Sequence, residues 1–169
     1  MQMVKNIILF SLSLIIFLLL TAPLKELYYY FEHKLVSQNI VINNEKIEDG
    51  FLHLGISDAD ILYNNIDIAH FNKADVLVLF VYNRVDIIGI ELSMKGFIPL
   101  DIKSANIEYA LWNPFGVDIK LYGSFGEAGG EYDIDSKTLK IYFYNEDKID
   151  SIKRYLKRDE EGYYYEFKL

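Results

Sequence analysis

The sequence lacks cysteine altogether and has little proline, tryptophan or histidine, with three Pro, one Trp and three His among 169 residues. The absence of cysteine excludes disulfide bonds and thiolate metal sites. Positive charge is also scarce, since 17 Lys and Arg oppose 25 Asp and Glu and leave a net charge of −8. Nucleic-acid phosphates and anionic lipid headgroups would both be repelled, so neither a nucleic-acid partner nor electrostatic adhesion to membranes is expected.

Recognisable catalytic and metal-binding motifs are missing as well. His33, His53 and His70 lie on different predicted elements, without the close spacing of zinc ligands. A metal set that adds Asp58 or Asp67 is the alternative to three isolated histidines. There is no G-x-S-x-G motif, and most carboxylates alternate with apolar residues, as on the solvated face of a sheet. The sequence therefore predicts no enzyme, no metal and no cofactor.

The longest uncharged run covers residues 7–24, and its polar members are two serines and one threonine. This length is close to the ~20 residues that cross a bilayer as a helix. Lys5 precedes the run, so the positive-inside rule predicts a cytoplasmic N-terminus with the rest of the chain outside. A cleaved signal peptide is the alternative, but Pro23 makes a poor cleavage context. The predicted membrane anchor, within a transmembrane segment over residues 1–24, consists of Ile7, Ile8, Leu9, Phe10, Leu12, Leu14, Ile15, Ile16, Phe17, Leu18, Leu19 and Leu20.

Residues 25–38 are expected to form a juxtamembrane amphipathic helix, because apolar side chains recur there at helical spacing. Tyr28, Tyr29 and Tyr30 come just after the apolar run. Aromatic rings are enriched at membrane–water interfaces, so these three tyrosines are predicted to be interfacial. The alternative is that they are core aromatics of a soluble helix.

From residue 39 onward the apolar period changes to two, which is typical of strands. Residues 74–82 are nearly all apolar, as in a central strand buried on both faces. Asn64 and Asn65 predict a tight hairpin turn, because asparagine tolerates left-handed backbone. Short strands separated by frequent turns predict a mainly β domain over residues 39–169, arranged as an antiparallel meander, a sandwich or an open barrel-like sheet.

Two later segments break the alternation. Residues 147–157 place Ile149, Ile152 and Leu156 on one helical face, which predicts a short helix near the C-terminus. Residues 123–130 hold four glycines, a density that resembles a phosphate-binding loop. Such a loop opens a helix, whereas a strand is predicted to follow here, so a turn or bulge of the sheet is favoured.

Three stretches together resemble the type II secretion system protein N (GspN) family and, more distantly, AsmA-like envelope proteins. They are residues 50–74 (GFLHLGISDADILYNNIDIAHFNKA), 123–142 (GSFGEAGGEYDIDSKTLKIY) and 156–167 (LKRDEEGYYYEF), which follow the N-terminal apolar run. The resemblance implies a short spanning helix in front of a β-rich domain outside the inner membrane, with a glycine-bearing strand pair near the end. It implies no catalytic residues.

The resemblance and the apolar run together predict a non-enzymatic, membrane-anchored component of a bacterial envelope machine. In this hypothesis a single-pass inner-membrane protein presents a periplasmic C-terminal domain that binds protein partners of type II secretion. Membrane lipid would contact the N-terminal helix, and envelope proteins would bind the sheet edges, where unpaired strands accept added strands. The alternative is a lipid-binding or lipid-transfer module, in which the apolar face of the sheet forms a groove for a bound lipid.

Overall fold

The structure is a computed structural model that describes residues 2–21, 23–79, 81–93 and 100–168, apart from the side chains of Leu19 and Leu20. Within these residues it is mainly β, with eleven strands in one antiparallel sheet after two helices. The helices are α1 (Gln2–Leu20) and α2 (Leu24–Val36). The strands are β1 (Ile40–Asn43), β2 (Lys46–Asp49), β3 (His53–Tyr63), β4 (Ile66–Val78), β5 (Tyr82–Leu92), β6 (Ile102–Ala110), β7 (Asn113–Gly123), β8 (Gly126–Asp133), β9 (Thr138–Phe143), β10 (Lys157–Asp159) and β11 (Gly162–Lys168).

Of the sheet arrangements that the sequence leaves open, the described strands show the antiparallel meander. Their order is β1-β3-β4-β5-β6-β7-β8-β9-β11-β10, and β2 pairs with β3 beside β1. Connections of two residues join β3 to β4, β6 to β7 and β7 to β8, as antiparallel neighbours allow. Between β3 and β4, Asn64 and Asn65 have φ angles of 51° and 62°, as a two-residue hairpin turn requires. The turn predicted at these asparagines is confirmed.

One face of the sheet is apolar across its middle strands. Ile87, Ala105, Leu121, Ala128 and Phe143 are successive cross-strand partners from β5 to β9. Directly paired residues of antiparallel strands project to the same face. The apolar face therefore continues without interruption across these five strands.

The first half of this apolar face is covered by α2. Leu24 is 4% exposed and, with Tyr28, packs among Leu54, Ile56 and Phe71 of β3 and β4, in what we call the first apolar cluster. A helix this short is stabilised mainly by packing of its apolar side. The position of α2 is therefore fixed by burial against the first strands of the sheet.

The second half of the apolar face is covered by residues 145–156, which we call the strap. It contains two 3-10 helices, Glu146–Lys148 and Lys153–Tyr155. Ile149 and Ile152 are 0% and 2% exposed, because they pack with Phe125, Ala128, Ile141 and Phe143 in what we call the second apolar cluster. The strap thus covers the part of the apolar face that α2 does not reach.

The transmembrane helix predicted over residues 1–24 is wrong. Among the residues that the structure describes, no helix is both long enough and apolar enough to cross a membrane. The uncharged run does not form one continuous helix, since α1 ends at Leu20 and Pro23 occupies the N-cap of α2. Proline has no backbone N–H and cannot extend a helical hydrogen-bond ladder, so the chain begins a second helix there.

The short helix predicted over residues 147–157 is also wrong, since two separate 3-10 helices of three residues occur there instead of one helix. The carbonyl oxygen of Ile149 accepts hydrogen bonds from the backbone N–H groups of Ile152 and Lys153, both at 2.9 Å, and the turns of the strap remain 3-10 helices. A segment of this length gains little from helix formation alone. Burial of Ile149 and Ile152 on the sheet sets its path instead.

Candidate functional site

A groove of about 400 Å³ lies on the apolar face, between the strap and the second half of the sheet. Ile102 of β6, Leu121 of β7 and Ile141 of β9 form its floor, and none of its lining residues is charged. The lining residues are Leu100, Ile102, Leu121, Phe125, Leu139, Ile141, Phe143, Ile152, Tyr155, Leu156 and Tyr165. Such a surface favours an apolar ligand, because each CH₂ removed from water contributes about 0.8 kcal/mol.

The depth of the groove comes from β8. The first three residues that β8 presents to the apolar face are Gly126, Ala128 and Gly130, and their partners on β7 and β9 include Leu121 and Ile141. The fourth is Tyr132, at the end of the strand opposite Leu139. At Gly126, Ala128 and Gly130 no side chain larger than a methyl group projects from β8, so the larger side chains of β7 and β9 form the two walls of the groove. The glycine-rich stretch therefore forms the β7–β8 turn and the start of β8, which agrees with the prediction of a turn. Gly126 in that turn has a φ of 85°.

The strap is fixed to the sheet at both ends. At its start the Asn145 side-chain oxygen accepts a hydrogen bond from the backbone N–H of Glu127 at 3.0 Å. Just after its end, the Asp159 carboxylate accepts hydrogen bonds from Lys140 Nζ at 3.0 Å and from the Tyr142 hydroxyl at 2.9 Å. The groove therefore lies between the sheet and a strap whose two ends are hydrogen-bonded to the sheet.

The rim of the groove is aromatic and cationic. Tyr155 and Tyr165 line the groove while remaining 48% and 42% exposed. The Arg154 guanidinium lies 4.6 Å from the centroid of the Tyr155 ring. Lys153 donates to Asp150 at 2.8 Å, and this hydrogen bond raises the pKa of Lys153. Arg154 makes no ion pair with any described residue, so its charge remains available beside the rim.

The polar face carries a cluster around His70. Its Nδ1 lies 2.7 Å from Asp60 Oδ1, and Asn44 donates to the other carboxylate oxygen at 2.6 Å. The hydrogen bond with Asp60 raises the pKa of His70. The hydrogen bonds from Asn44 and His70 lower the pKa of Asp60. This cluster joins β3 and β4 on the solvated face, and none of its residues lines the apolar groove.

A second polar cluster ties β10 to the sheet. Lys140 Nζ lies 4.6 Å and 4.3 Å from the ring centroids of Tyr142 and Tyr164. Hydrogen bonds with Tyr142 and with Asp159 raise the pKa of Lys140. Desolvation alone would raise the pKa of Asp159, but the hydrogen bonds from Lys140 and Tyr142 outweigh it and lower that pKa. These bonds hold the strand that follows the strap.

A larger hollow of about 660 Å³ lies on the polar face over β6 to β9. Charged side chains of both signs line it, among them Glu108, Asp118, Glu131 and Lys140. None of the charged residues that line it is buried. Water can solvate the charged side chains of this hollow, whereas it cannot solvate the apolar lining of the groove. The smaller apolar groove is therefore the better candidate site.

A third cavity, of about 170 Å³, lies under α2 beside Tyr28. Burial raises the pKa of the Tyr28 hydroxyl, and the charges of Glu45 and Glu32 raise it further. Ligand pockets for drug-sized molecules usually measure about 300–1,000 Å³. This cavity is therefore part of the packing of α2 on the sheet.

The predicted anchor residues all fall in α1. Its described side chains from residue 7 to residue 18 are exposed, and Phe10 is 70% exposed. The predictions for Leu19 and Leu20 concern side chains that lie outside the described residues. The contact of α1 with lipid stays a prediction.

The predicted interfacial tyrosines separate into two groups. Tyr28 turns toward the sheet and packs on the first apolar cluster. Tyr29 and Tyr30 are 47% and 54% exposed. Tyr28 therefore has the position of a core aromatic. The interfacial role of Tyr29 and Tyr30 stays a prediction.

The histidines lie apart from the groove. His33 is on α2, His70 pairs with Asp60, and His53 Nε2 lies 4.0 Å from Asp75 Oδ2. Within the described ranges, no group of three His, Asp or Glu side chains is placed to hold a metal ion.

The sequence predicts an apolar face but names none of the groove residues. Period-two alternation is the same for strands that pack fully and for strands that leave a gap. Two signals point toward the groove. One is the small-residue run Gly126, Ala128 and Gly130, and the other is the spacing of Ile149 and Ile152, which marks a segment packed on the sheet.

Comparison with known protein families, with curated proteins and with solved structures finds no match to this chain. The resemblance to the type II secretion system protein N family therefore rests on the three sequence stretches alone.

Proposed function

We propose that this protein is a non-enzymatic binding module that holds the acyl chain of an anionic amphiphile in its apolar groove. The observation that carries this proposal is an open groove of about 400 Å³ without a single charged lining residue. That volume lies within the range of small-molecule sites, about 300–1,000 Å³. The proposal corresponds to the lipid-binding alternative raised by the sequence.

The rim determines which end of the ligand stays in water. Tyr155 and Tyr165 are half-exposed aromatics with polar tips, as suits the boundary between an acyl chain and its headgroup. Arg154 stands over the Tyr155 ring and presents a fixed positive charge there. An arginine binds a carboxylate or phosphate through paired hydrogen bonds. The expected ligand is therefore a fatty acid or a phospholipid rather than a neutral hydrocarbon.

Palmitate binding to the purified full chain tests the groove. Tyr165→Asp places a charge in the apolar lining and should weaken palmitate binding roughly tenfold or more. The matched control is Tyr63→Asp, because Tyr63 is 48% exposed and belongs to β3 at the far side of the sheet. Isothermal titration and native mass spectrometry measure the complex. Equal losses in the two variants, or no palmitate retained by the wild type, would reject the proposal.

The headgroup assignment has its own test. Arg154→Gln should weaken binding of palmitate by about tenfold and leave binding of the corresponding alcohol unchanged. Arg84→Gln is the control, since Arg84 pairs with Asp86 on the opposite face of the sheet. If Arg154→Gln affects the alcohol as much as the acid, the charge has no role in recognition and the site accepts any chain.

A second candidate is the protein-interaction subunit of a bacterial envelope machine that the sequence resemblance implies. The open edge of β11 favours it, because β10 pairs only with residues 162–164 of β11. Within the described residues, no strand pairs with residues 165–168 on that side. Unpaired edges accept strands from partner proteins. Copurification from detergent-solubilised membranes tests this candidate, and a chain recovered without any stoichiometric protein partner would exclude it.

A further inference from the structure

Five exposed apolar side chains form a row at one end of the sheet, which we call the turn ridge. They are Val81, Leu111, Trp112, Phe115 and Ile134, with exposed fractions of 45%, 52%, 74%, 57% and 41%. They come from the β4–β5, β6–β7 and β8–β9 connections and the first residues of β7. In a meander, alternate turns lie at the same end of the sheet.

Backbone hydrogen bonds hold the members of the turn ridge next to one another. The N–H of Leu111 donates to the carbonyl of Val81 at 2.9 Å, and the N–H of Ile134 donates to the carbonyl of Phe115 at 2.8 Å. The Trp112 ring is stacked on Tyr82, with 6.2 Å between centroids and 4° between planes. The residues of the turn ridge are therefore held next to one another as one continuous surface.

The composition of two of these turns is unusual, since Val81 lies in the β4–β5 turn and Leu111 and Trp112 form the β6–β7 turn, whereas the β8–β9 turn contains Asp135 and Ser136. Hairpin turns are normally rich in Gly, Pro, Asn, Asp and Ser. The β3–β4 turn, at the opposite end of the sheet, has that composition in Asn64 and Asn65. Exposed apolar side chains grouped in this way mark an interaction surface.

The N-terminal helices lead to the same end of the sheet. The first residue of α2, Leu24, packs on Leu54 near the start of β3, and the last turn of α2 leads to Asn39, which bonds to Asn64 at the other end. α1 ends at Leu20, a few residues before Leu24. The C-terminal end of α1 is therefore tethered to the end of the sheet that carries the turn ridge.

The chemistry of α1 indicates what covers this end. From residue 7 to residue 18 its side chains are exposed, and all of them except Ser11 and Ser13 are apolar. Contact with acyl chains would cover these side chains, and a helix that lies on a lipid layer makes this contact without crossing it. A lipid layer therefore suits both α1 and a row of exposed apolar turn residues that includes a tryptophan.

We propose that the turn ridge docks on the interface of a lipid layer, with Trp112 and Tyr82 at headgroup depth and the aliphatic tips of Val81, Leu111 and Ile134 beneath them. Tryptophan and tyrosine favour this interface because their rings are amphipathic. The chain is acidic, so apolar contact and not charge attraction provides the binding, and zwitterionic lipid suffices. This surface is separate from the groove and does not depend on the proposed ligand.

Trp112 is the single tryptophan of the chain, so its fluorescence reports the ridge directly. On addition of phosphatidylcholine vesicles to the full chain, its emission should shift to shorter wavelength and be quenched by doxyl groups placed near the headgroup end of the acyl chains. Vesicle-bound protein whose Trp112 emission stays that of an indole in water would overturn the proposal, since α1 alone would then make the contact. A shift that appears without lipid, on raising the protein concentration, would overturn it in favour of self-association.

Paired variants complete the test. Leu111→Asn with Phe115→Asn should lower partitioning into phosphatidylcholine vesicles by about tenfold or more and reduce Trp112 quenching. Tyr63→Asn with Ile66→Asn is the matched control, because these two residues are 48% and 55% exposed at the opposite end of the sheet. Palmitate binding should be equal in both double variants. Equal loss of vesicle binding in the two pairs would overturn the assignment of the lipid contact to this end.

Discussion

Phe125 is the largest side chain that is fully buried among the described residues, with 1% of its surface exposed. Its ring meets that of Phe143 edge to face at 5.3 Å, at the inner end of the groove. Phe125→Ala should lower the free energy of unfolding by roughly 3–5 kcal/mol, because it removes aromatic burial and leaves a cavity. Phe51→Ala is the control, since Phe51 is 66% exposed, and should change it by less than about 0.5 kcal/mol. Urea unfolding measures both, and similar losses would contradict the packing described.

His70 gives the fold a pH dependence whose sign follows from its partner. The hydrogen bond with Asp60 raises the pKa of His70 above its ordinary value, although desolvation acts in the opposite direction. Charged His70 therefore stabilises the folded chain below its unfolded pKa of about 6.5, and this contribution disappears as pH rises through the folded pKa.

The variant His70→Gln isolates that contribution. It should be less stable than the wild type at about pH 6 and equal to it at about pH 9, as measured by urea midpoints. A difference between the two proteins that grows with pH would mean that neutral His70 is the stabilising form.

Among the elements, β8 is the one most constrained by small residues. An added Cβ at Gly130 would collide with the carbonyl oxygen of Lys140 in β9. Neither backbone can move without disturbing the ladder between them, so Gly130→Ala should lower the melting temperature by roughly 5–10 °C. At Gly55 in β3 an added Cβ would meet Glu48 Cβ at 3.5 Å, an ordinary contact. Gly55→Ala should therefore melt within about 2 °C of the wild type by circular dichroism.

Strand ends were less predictable than strand interiors. The sequence predicts one strand over residues 74–82, whereas β4 ends at Val78 and β5 begins at Tyr82. The connection includes Val81, which belongs to the turn ridge, and Phe80 lies outside the described residues. Turns are predicted from polar and small residues, so a turn made of apolar residues is not predicted from the sequence.

Strand lengths were hidden by a shift in the alternation. Ile56 and Ala59 of β3 are both buried on the apolar face although three positions apart, and so are Phe71 and Ala74 of β4. Asp58 takes a φ of 56° between the two buried residues of β3. A residue in the left-handed region changes the phase of the alternation, so that later side chains project to the opposite face from the one a strict period of two predicts. A prediction based on that period therefore divides one long strand into two short ones.

The groove was less predictable than the strands for a geometric reason. The apolar spacing of Ile149, Ile152 and Leu156 identifies side chains that meet the sheet, and two of them are fully buried. How far the strap stands from β6 and β7 depends on the small residues of β8 and on the bonds at Asn145 and Asp159. These are distances between segments far apart in sequence, which local periodicity does not encode.

At the scale of the whole molecule, stability should be distributed along the order of strands. The first apolar cluster lies under α2 and the second under the strap. β10 has a single strand neighbour and only three residues. Hydrogen exchange measured by mass spectrometry should therefore be slowest in β4 to β8 and fast in β10.

The same measurement distinguishes the two clusters. Phe125→Ala should accelerate exchange in β7, β8 and β9 more than in β3 and β4, because the cluster that it weakens contacts only the later strands. Uniform acceleration along the chain would instead show that the sheet opens as one cooperative unit.

The linear order of strands also has a consequence for how such a molecule can change in length. Each strand from β4 to β8 bonds only to the strand before it and the strand after it in the chain. Gain or loss of one hairpin adds or removes two strands, and every remaining strand keeps its partners, its direction and the assignment of its side chains to the two faces. The apolar face would lengthen by about 9–10 Å per hairpin. Capacity for a longer ligand could thus arise by duplication within the chain, with the helices at one end and the strap at the other left as they are.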